Sequence, residues 1–159
     1  MTRIVNYVPR VWRETSQPTD IDWTDGVLTL AHKGSSSETF AQSDSFQVEQ
    51  SGVYVIAGRC LGVTLPDGGQ NTTQNGPLPV WNPQSWAIPL FAPPKTVEVK
   101  SYVFEFRVPD TVRELVWRVC APNGGGAVWD RLFLGLKTDW QALQAQAPSF
   151  TSESQRLIL

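Results

Sequence analysis

Trp81 and Trp86 flank the tetrapeptide NPQS in VWNPQSWAIPLFAPP, residues 80–94, so that Asn82 and Gln84 lie between two indoles. Sugar rings present flat C–H faces that stack on indole, and their hydroxyls need amide or carboxylate groups at the ring edge. Trp81, Trp86, Asn82 and Gln84 therefore form a candidate glycan platform. The preceding GGQNTTQNG adds Gln70, Asn71, Gln74 and Asn75. Two other uses of these residues stay open. Large aromatics are more often buried than exposed, so Trp81, Trp86 and Phe91 can pack as a lid over one end of the fold, on a loop stiffened by its prolines. They can also form a contact with another protein.

Elsewhere the residue types that do chemistry are thinly spread. DIDWTDG, residues 20–26, carries Asp20, Asp22 and Asp25, but a helix–loop–helix calcium site needs acids where Thr24 and Ala31 stand. A solvated turn with Asp25 and Gly26 at its corner is expected instead. Strict alternation puts Asp130 on one face with Val128, Leu132 and Leu134, where an inward carboxylate must find hydrogen-bond donors and reads as structural. His32 is the single histidine, no Gly-x-Ser-x-Gly elbow occurs, and NGGG at 123–126 lacks the Lys and helix of a phosphate loop. Cys60 and Cys120 are too far apart for a local zinc knuckle. Their strand-like neighbours suggest buried, reduced thiols, with a disulfide between them as the lesser alternative. No enzyme, metal or cofactor is expected, and the sequon Asn71-Thr72-Thr73 matters only in an exported protein.

Composition narrows the class. The 159 residues suit one domain, and 41 % hydrophobic content with 7 tryptophans is enough for a packed core. A net charge of -2 offers no electrostatic footprint for nucleic acid. The N-terminal MTRIVNYVPRVW has no secretory pattern, and no apolar run approaches the length of a membrane span, so a soluble product made in the cytoplasm is expected.

Period-two alternation supplies the scaffold. GVLTLAH, ETFAQSDSFQVE and GVYVIAGRC precede the proline-rich stretch; SYVFEFRVP, RELVWRVCA and AVWDRLFLGL follow it. Tyr102, Phe104, Phe106 and Val108 share one face, with Val103, Glu105 and Arg107 on the other. In ELVWRVC both faces are largely apolar, which suits a central strand. Turn residues separate the runs at the spacing of an antiparallel β-sandwich. From Gly62 to Lys95 no alternation holds, which predicts a long, proline-punctuated loop that forms neither helix nor central strand. TDWQALQAQAP predicts a short helix, with Thr138 and Gln141 at capping-box spacing, and Trp140, Leu143 and Ala147 on one side. The final Leu157, Ile158 and Leu159 end a polar tail. These apolar residues either fold back on the domain or, together with Trp140 and Leu143, dock on a partner protein.

The segment VPDTVRELVWRVCAPNGGGAVWDRLFLGL resembles the closing half of jelly-roll domains of the galactose-binding-like and carbohydrate-binding-module type. Pro109 matches the turn, Leu115, Trp117 and Val119 the penultimate core strand, Gly124 to Gly126 the loop, and Asp130 the aspartate of the last strand. Trp23, GVLTLAH and SFQVEQSGVYVIAGRCLG are similar to the front half, so the likeness covers roughly residues 20–136. It implies an all-β fold: an antiparallel jelly-roll β-sandwich over 1–137 with a long Pro-rich loop, then a short C-terminal helix and extended tail over 138–159. The chain departs from the family in showing no export signal, attached catalytic domain or obvious calcium site. Small free-standing jelly rolls with such an appendage resemble minor tail or decoration proteins of tailed bacteriophages. That likeness implies a non-enzymatic structural or adhesion protein of the virion, oligomeric within its assembly. It would dock on other tail or capsid proteins and bind host-surface carbohydrate, with no nucleic-acid or membrane partner. The alternative is a stand-alone carbohydrate-binding module using Trp81 and Trp86.

Overall fold

Asp25 and Gly26 both take left-handed backbone angles, φ 53° and 76°, the requirement of a two-residue hairpin turn that Asp-Gly meets at little cost. In the computed structural model, which describes residues 3–15, 19–33, 38–86, 89–92 and 94–146, this turn joins β1 (Thr19–Thr24) to β2 (Val27–His32). The expected solvated corner is there. β2 pairs with β9 (Gly126–Leu136), β9 with β5 (Gly52–Thr64), and β5 with β7 (Ser101–Val108), which makes an antiparallel five-stranded sheet.

A second antiparallel sheet is built around β8 (Glu114–Cys120). β3 (Phe40–Gln42) and β4 (Phe46–Gln47) pair along one edge of β8, and β6 (Val80–Trp81) along the other. The expectation that ELVWRVC is a central strand holds. The loop expected from Gly62 to Lys95 is corrected in two places: β5 continues to Thr64, paired with β9, and Val80–Trp81 pairs with β8. The amides of Arg118 and Cys120 donate to the carbonyls of Pro79 and Pro77. Proline lacks a donor but keeps its acceptor, so residues that only accept from β8 can be proline.

Side chains of the two sheets meet in one core. Leu28, Leu30, Tyr54, Ile56, Trp129, Leu132 and Leu134 face Leu115, Trp117, Val119 and Val80. Trp117 and Trp129 are fully buried, and each indole N–H is satisfied, by the carbonyls of Tyr7 (3.3 Å) and Cys120 (3.1 Å). β7 presents Tyr102, Phe104, Phe106 and Val108 to this core and leaves Val103, Glu105 and Arg107 exposed, as its alternation predicts.

Asp130 is a correction. Between the pairs Ala57↔Phe133 and Arg59↔Asp130, β9 has one residue more than β5, and Arg131 takes a left-handed φ of 51°. This bulge shifts the phase of alternation. Trp129, Leu132 and Leu134 point into the core together, and Asp130 turns to the outer side. There it accepts from Arg59 Nε (2.8 Å) and Nη2 (2.5 Å). Trp129 and Leu132 lean over the opposite strand at Gly58, where a Cβ would come within 2.9 Å of Leu132.

The outer face of the five-stranded sheet is covered by α1 (Lys137–Gln146), which follows β9 directly. Leu143 is buried against Ile4, Val55, Ala57 and Phe133. Because the helix begins at Lys137, Thr138 lies inside its first turn rather than capping it. Asp139 accepts from the Val5 amide at 3.4 Å.

The N-terminal segment closes what β2 leaves open. β2 pairs with β9 only as far as Trp129. Beyond it the buried Asn6 donates from Nδ2 to the Leu132 carbonyl and accepts from the Leu134 amide, both at 3.0 Å, and the Tyr7 amide donates to the Leu134 carbonyl. One amide side chain thus replaces a missing strand partner. Asn6→Ala should lower the stability by about 1–3 kcal/mol by leaving two buried backbone groups unpaired, read as a shifted urea midpoint at constant slope.

Cys60 and Cys120 are free and buried. Burial pushes the Cys60 thiol up to about 11 and the Cys120 thiol up to about 12, from an ordinary value near 9.0. Below the ordinary value both states keep their protons. Above it the unfolded chain ionises first, so stability is lost as pH rises through the folded values. Urea midpoints should therefore fall across that alkaline window, and fall less steeply in a Cys60→Ala, Cys120→Ala double variant.

Candidate functional site

Arg118 is the one charge on the outward face of β8 between Val116 and Cys120. The register fixes its surroundings. Gln42 of β3 lies directly opposite, Phe40 pairs with Cys120, and Trp81 of β6 pairs with Val116. The guanidinium carbon accordingly sits 4.1 Å from the Phe40 ring centre and 4.5 Å from that of Trp81. Its Nε donates to Gln42 Oε1 at 2.9 Å. A cation held between two π-faces is stabilised by their quadrupoles. No carboxylate among the described residues forms an ion pair with it, and desolvation lowers its pKa.

The structure divides the sequence-predicted platform. Trp81 is 3 % exposed and belongs to the fold, whereas Trp86 is 45 % exposed. Their ring centres are 5.7 Å apart at 39°, and Trp86 lies 5.9 Å from the guanidinium. Asn82 spends its side-chain oxygen on the Gln84 amide at 3.0 Å, and its carbonyl accepts from the Ser85 amide. That turn lifts Trp86 outward. Gln84 is exposed beside it. Phe91 follows the lid reading: it is half-buried, bonds to Val80 through the backbone, and packs 5.4 Å from both Phe104 and Phe106.

Beside Trp81 and Arg118 lies a shallow notch, with room for about one water-sized group, whose other walls include Glu38, Thr39, Thr73, Asn75 and Asn123. Backbone and side-chain bonds set these walls. Asn71 clamps Val97 from both ends, donating to its carbonyl at 2.7 Å and accepting from its amide at 2.9 Å. The Thr73 amide donates to Lys95, and the Asn123 amide to Thr72. Of the amide-rich stretch, Asn71 is thus a strut and Asn75 a wall. Thr39 and Thr73 are 1 % and 5 % exposed, and the hydroxyl of each is buried without a hydrogen-bond partner. Buried polar atoms rarely stay unpaired in water.

The other sequence-predicted residues lie elsewhere. Trp140 packs at a tilt 5.0 Å from Phe133 and is half-buried; Leu143 is fully buried by its own domain and has no surface to offer a partner. Leu157, Ile158 and Leu159 lie outside the described residues. Sequence reasoning missed Arg118, Thr39 and Thr73. A lone charge on a strand apolar on both faces was the available signal for Arg118; the threonines carried none, since their meeting depends on loop closure.

Among the described residues no group of three His, Cys, Asp or Glu side chains could hold a metal ion, and no helix is long and apolar enough to cross a membrane. The chain matches no protein-family model, and no curated protein matches it.

The two indoles should separate in a stability measurement. Trp81→Ala should cost about 3–5 kcal/mol as a buried aromatic truncation, and Trp86→Ala no more than about 1 kcal/mol. Thermal melts of the two variants compare them directly.

Proposed function

We propose that the protein is a non-enzymatic binding module, a jelly-roll domain that recognises carbohydrate through Trp86 at the rim of its smaller sheet. The observation that carries this reading is the half-exposed indole of Trp86. It is held by Trp81 and Arg118, and the notch that these two residues line has the amide side chains Asn75 and Asn123 among its walls. An indole fixed from behind loses little entropy when a sugar ring stacks on its free face. Trp81 acts as its backing rather than as a second platform.

The setting proposed for this module is a tailed-phage particle, as a minor tail or decoration protein that docks on a neighbouring virion protein and contacts host-surface glycan. What supports that setting is a resemblance of arrangement, a small β-sandwich followed by a short C-terminal helix. Repetition of one weak site over many copies would turn millimolar binding, ~4 kcal/mol per site, into firm adhesion by raising the effective concentration.

Titrating the protein with soluble bacterial cell-wall polysaccharide should quench and shift the tryptophan emission. The response should vanish in Trp86→Ala while that variant keeps the parental melting temperature to within a few degrees. An emission spectrum that stays constant in the parent protein over the whole saccharide range would refute the reading.

A further inference from the structure

β7 ends the five-stranded sheet, with β5 on one side and no strand on the other. The Cys60 amide donates to the Lys100 carbonyl, and the register with β5 then runs unbroken from Ser101 to Val108. Backbone groups of an antiparallel strand alternate in direction, so Tyr102, Phe104, Phe106 and Val108 bond to β5. The N–H and C=O groups of Val103, Glu105 and Arg107 point the other way. Among the described residues no backbone group pairs with them.

An edge of this kind is a template for a further strand, and proteins guard theirs with charge, bulges or shortness. The other edges of this fold are guarded. β1 exposes Asp20 and Asp22 on one face, so two β1 strands laid together would bring carboxylates near each other, and β3, β4 and β6 are two or three residues long. β7 has eight residues, no proline and no bulge against β5, and its Val103 is 53 % exposed. Its exposed charges are of opposite sign. Glu105 Oε1 accepts from Lys137 Nζ at 2.9 Å, while Arg107 forms no ion pair among the described residues.

That charge pattern names the occupant. A second β7 laid antiparallel along the first must set outward-facing residues opposite one another. Centred on Phe104, such a pair puts Glu105 opposite Val103 and makes the two Glu105 side chains diagonal neighbours. Centred on Glu105, it sets those two carboxylates face to face. Centred on Phe106, it sets Glu105 of each copy opposite Arg107 of the other. Opposite charges directly across favour strand pairing and like charges oppose it. The strand is therefore complementary to itself in one register, and a two-fold axis makes the favourable contact twice.

We infer that β7 is a self-association edge: two copies of this chain pair through it, antiparallel about a two-fold axis beside Phe106, and join their five-stranded sheets into one. Each Glu105 then lies between Lys137 of its own chain and Arg107 of the second copy. The contact is one strand edge with its flanking side chains, which places the dimer among small interfaces that form at micromolar to millimolar concentration. It stands apart from the glycan reading of Trp86.

Sedimentation equilibrium of the whole protein, from about 10 μM to about 1 mM, should show the mass rising from monomer toward dimer. Glu105→Arg and Arg107→Glu each set like charges across the axis and should remain monomeric. Their one-to-one mixture restores both contacts and should sediment as a heterodimer. Both positions are exposed, so each variant should melt within a few degrees of the parent. In the parent protein, hydrogen exchange at the Glu105 and Arg107 amides should slow as concentration rises across the same range. A parent that stays monomeric throughout, single variants that dimerise as it does, or a mixture that stays monomeric overturns the inference. Exchange at those two amides that ignores concentration overturns it without recourse to any variant.

Discussion

The smaller sheet has a single strand of full length, β8, and every other part of that sheet is hydrogen-bonded to it. Residues 39–48 take one edge and residues 77–81 the other. Ser43 spans the break between β3 and β4: its amide donates to the Trp117 carbonyl, and its hydroxyl accepts from the Trp117 amide. Because alternate residues of β8 face opposite sides, this one strand sets both the core and the candidate site. Leu115, Trp117 and Val119 are driven into the core by the hydrophobic effect. Val116, Arg118 and Cys120 must then emerge on the far side, beneath Phe40 and Trp81.

That coupling explains why the charge there is an arginine. A lysine at 118 would bring a compact, strongly hydrated ammonium into a partly desolvated slot where no carboxylate among the described residues forms an ion pair. The guanidinium is planar, more weakly hydrated and able to lie against two rings while its Nε–H meets Gln42. Arg118 is also one of the residues that line the notch.

Much of the strand order was legible because period-two alternation and turn residues are local signals. GVLTLAH, SYVFEFRVP and ELVWRVC appear as strands with the expected buried faces, and Asp25-Gly26 as the expected turn. Failures came where one local rule met a distant partner. In β9 an extra residue opposite Gly58 reverses the alternation, so Asp130 faces outward to Arg59, a change that nothing within AVWDRLFLGL announces. Residues 77–81 contain two prolines and read as loop, yet their carbonyls suit the edge of β8. Asn6 stands in a segment without alternation and acquires its role only because β2 stops short of Leu132. The indoles were legible as a pair. Their division into a buried and a half-exposed ring was not, because it depends on the Asn82 turn and on Arg118 across the sheet.

Under the proposed function, rigidity and access fall to different residues. The backing is ordered by the sheet: Trp81 is strand-bound, Arg118 is sandwiched, and Asn71 ties the neighbouring loop to Val97. Access is left to Trp86, one turn beyond the strand end. A site arranged this way keeps its stacking face fixed before any ligand arrives, which lowers the ordering cost of binding. Substitutions on the exposed turn would then alter affinity with little effect on folding, whereas substitutions in the backing would alter both together.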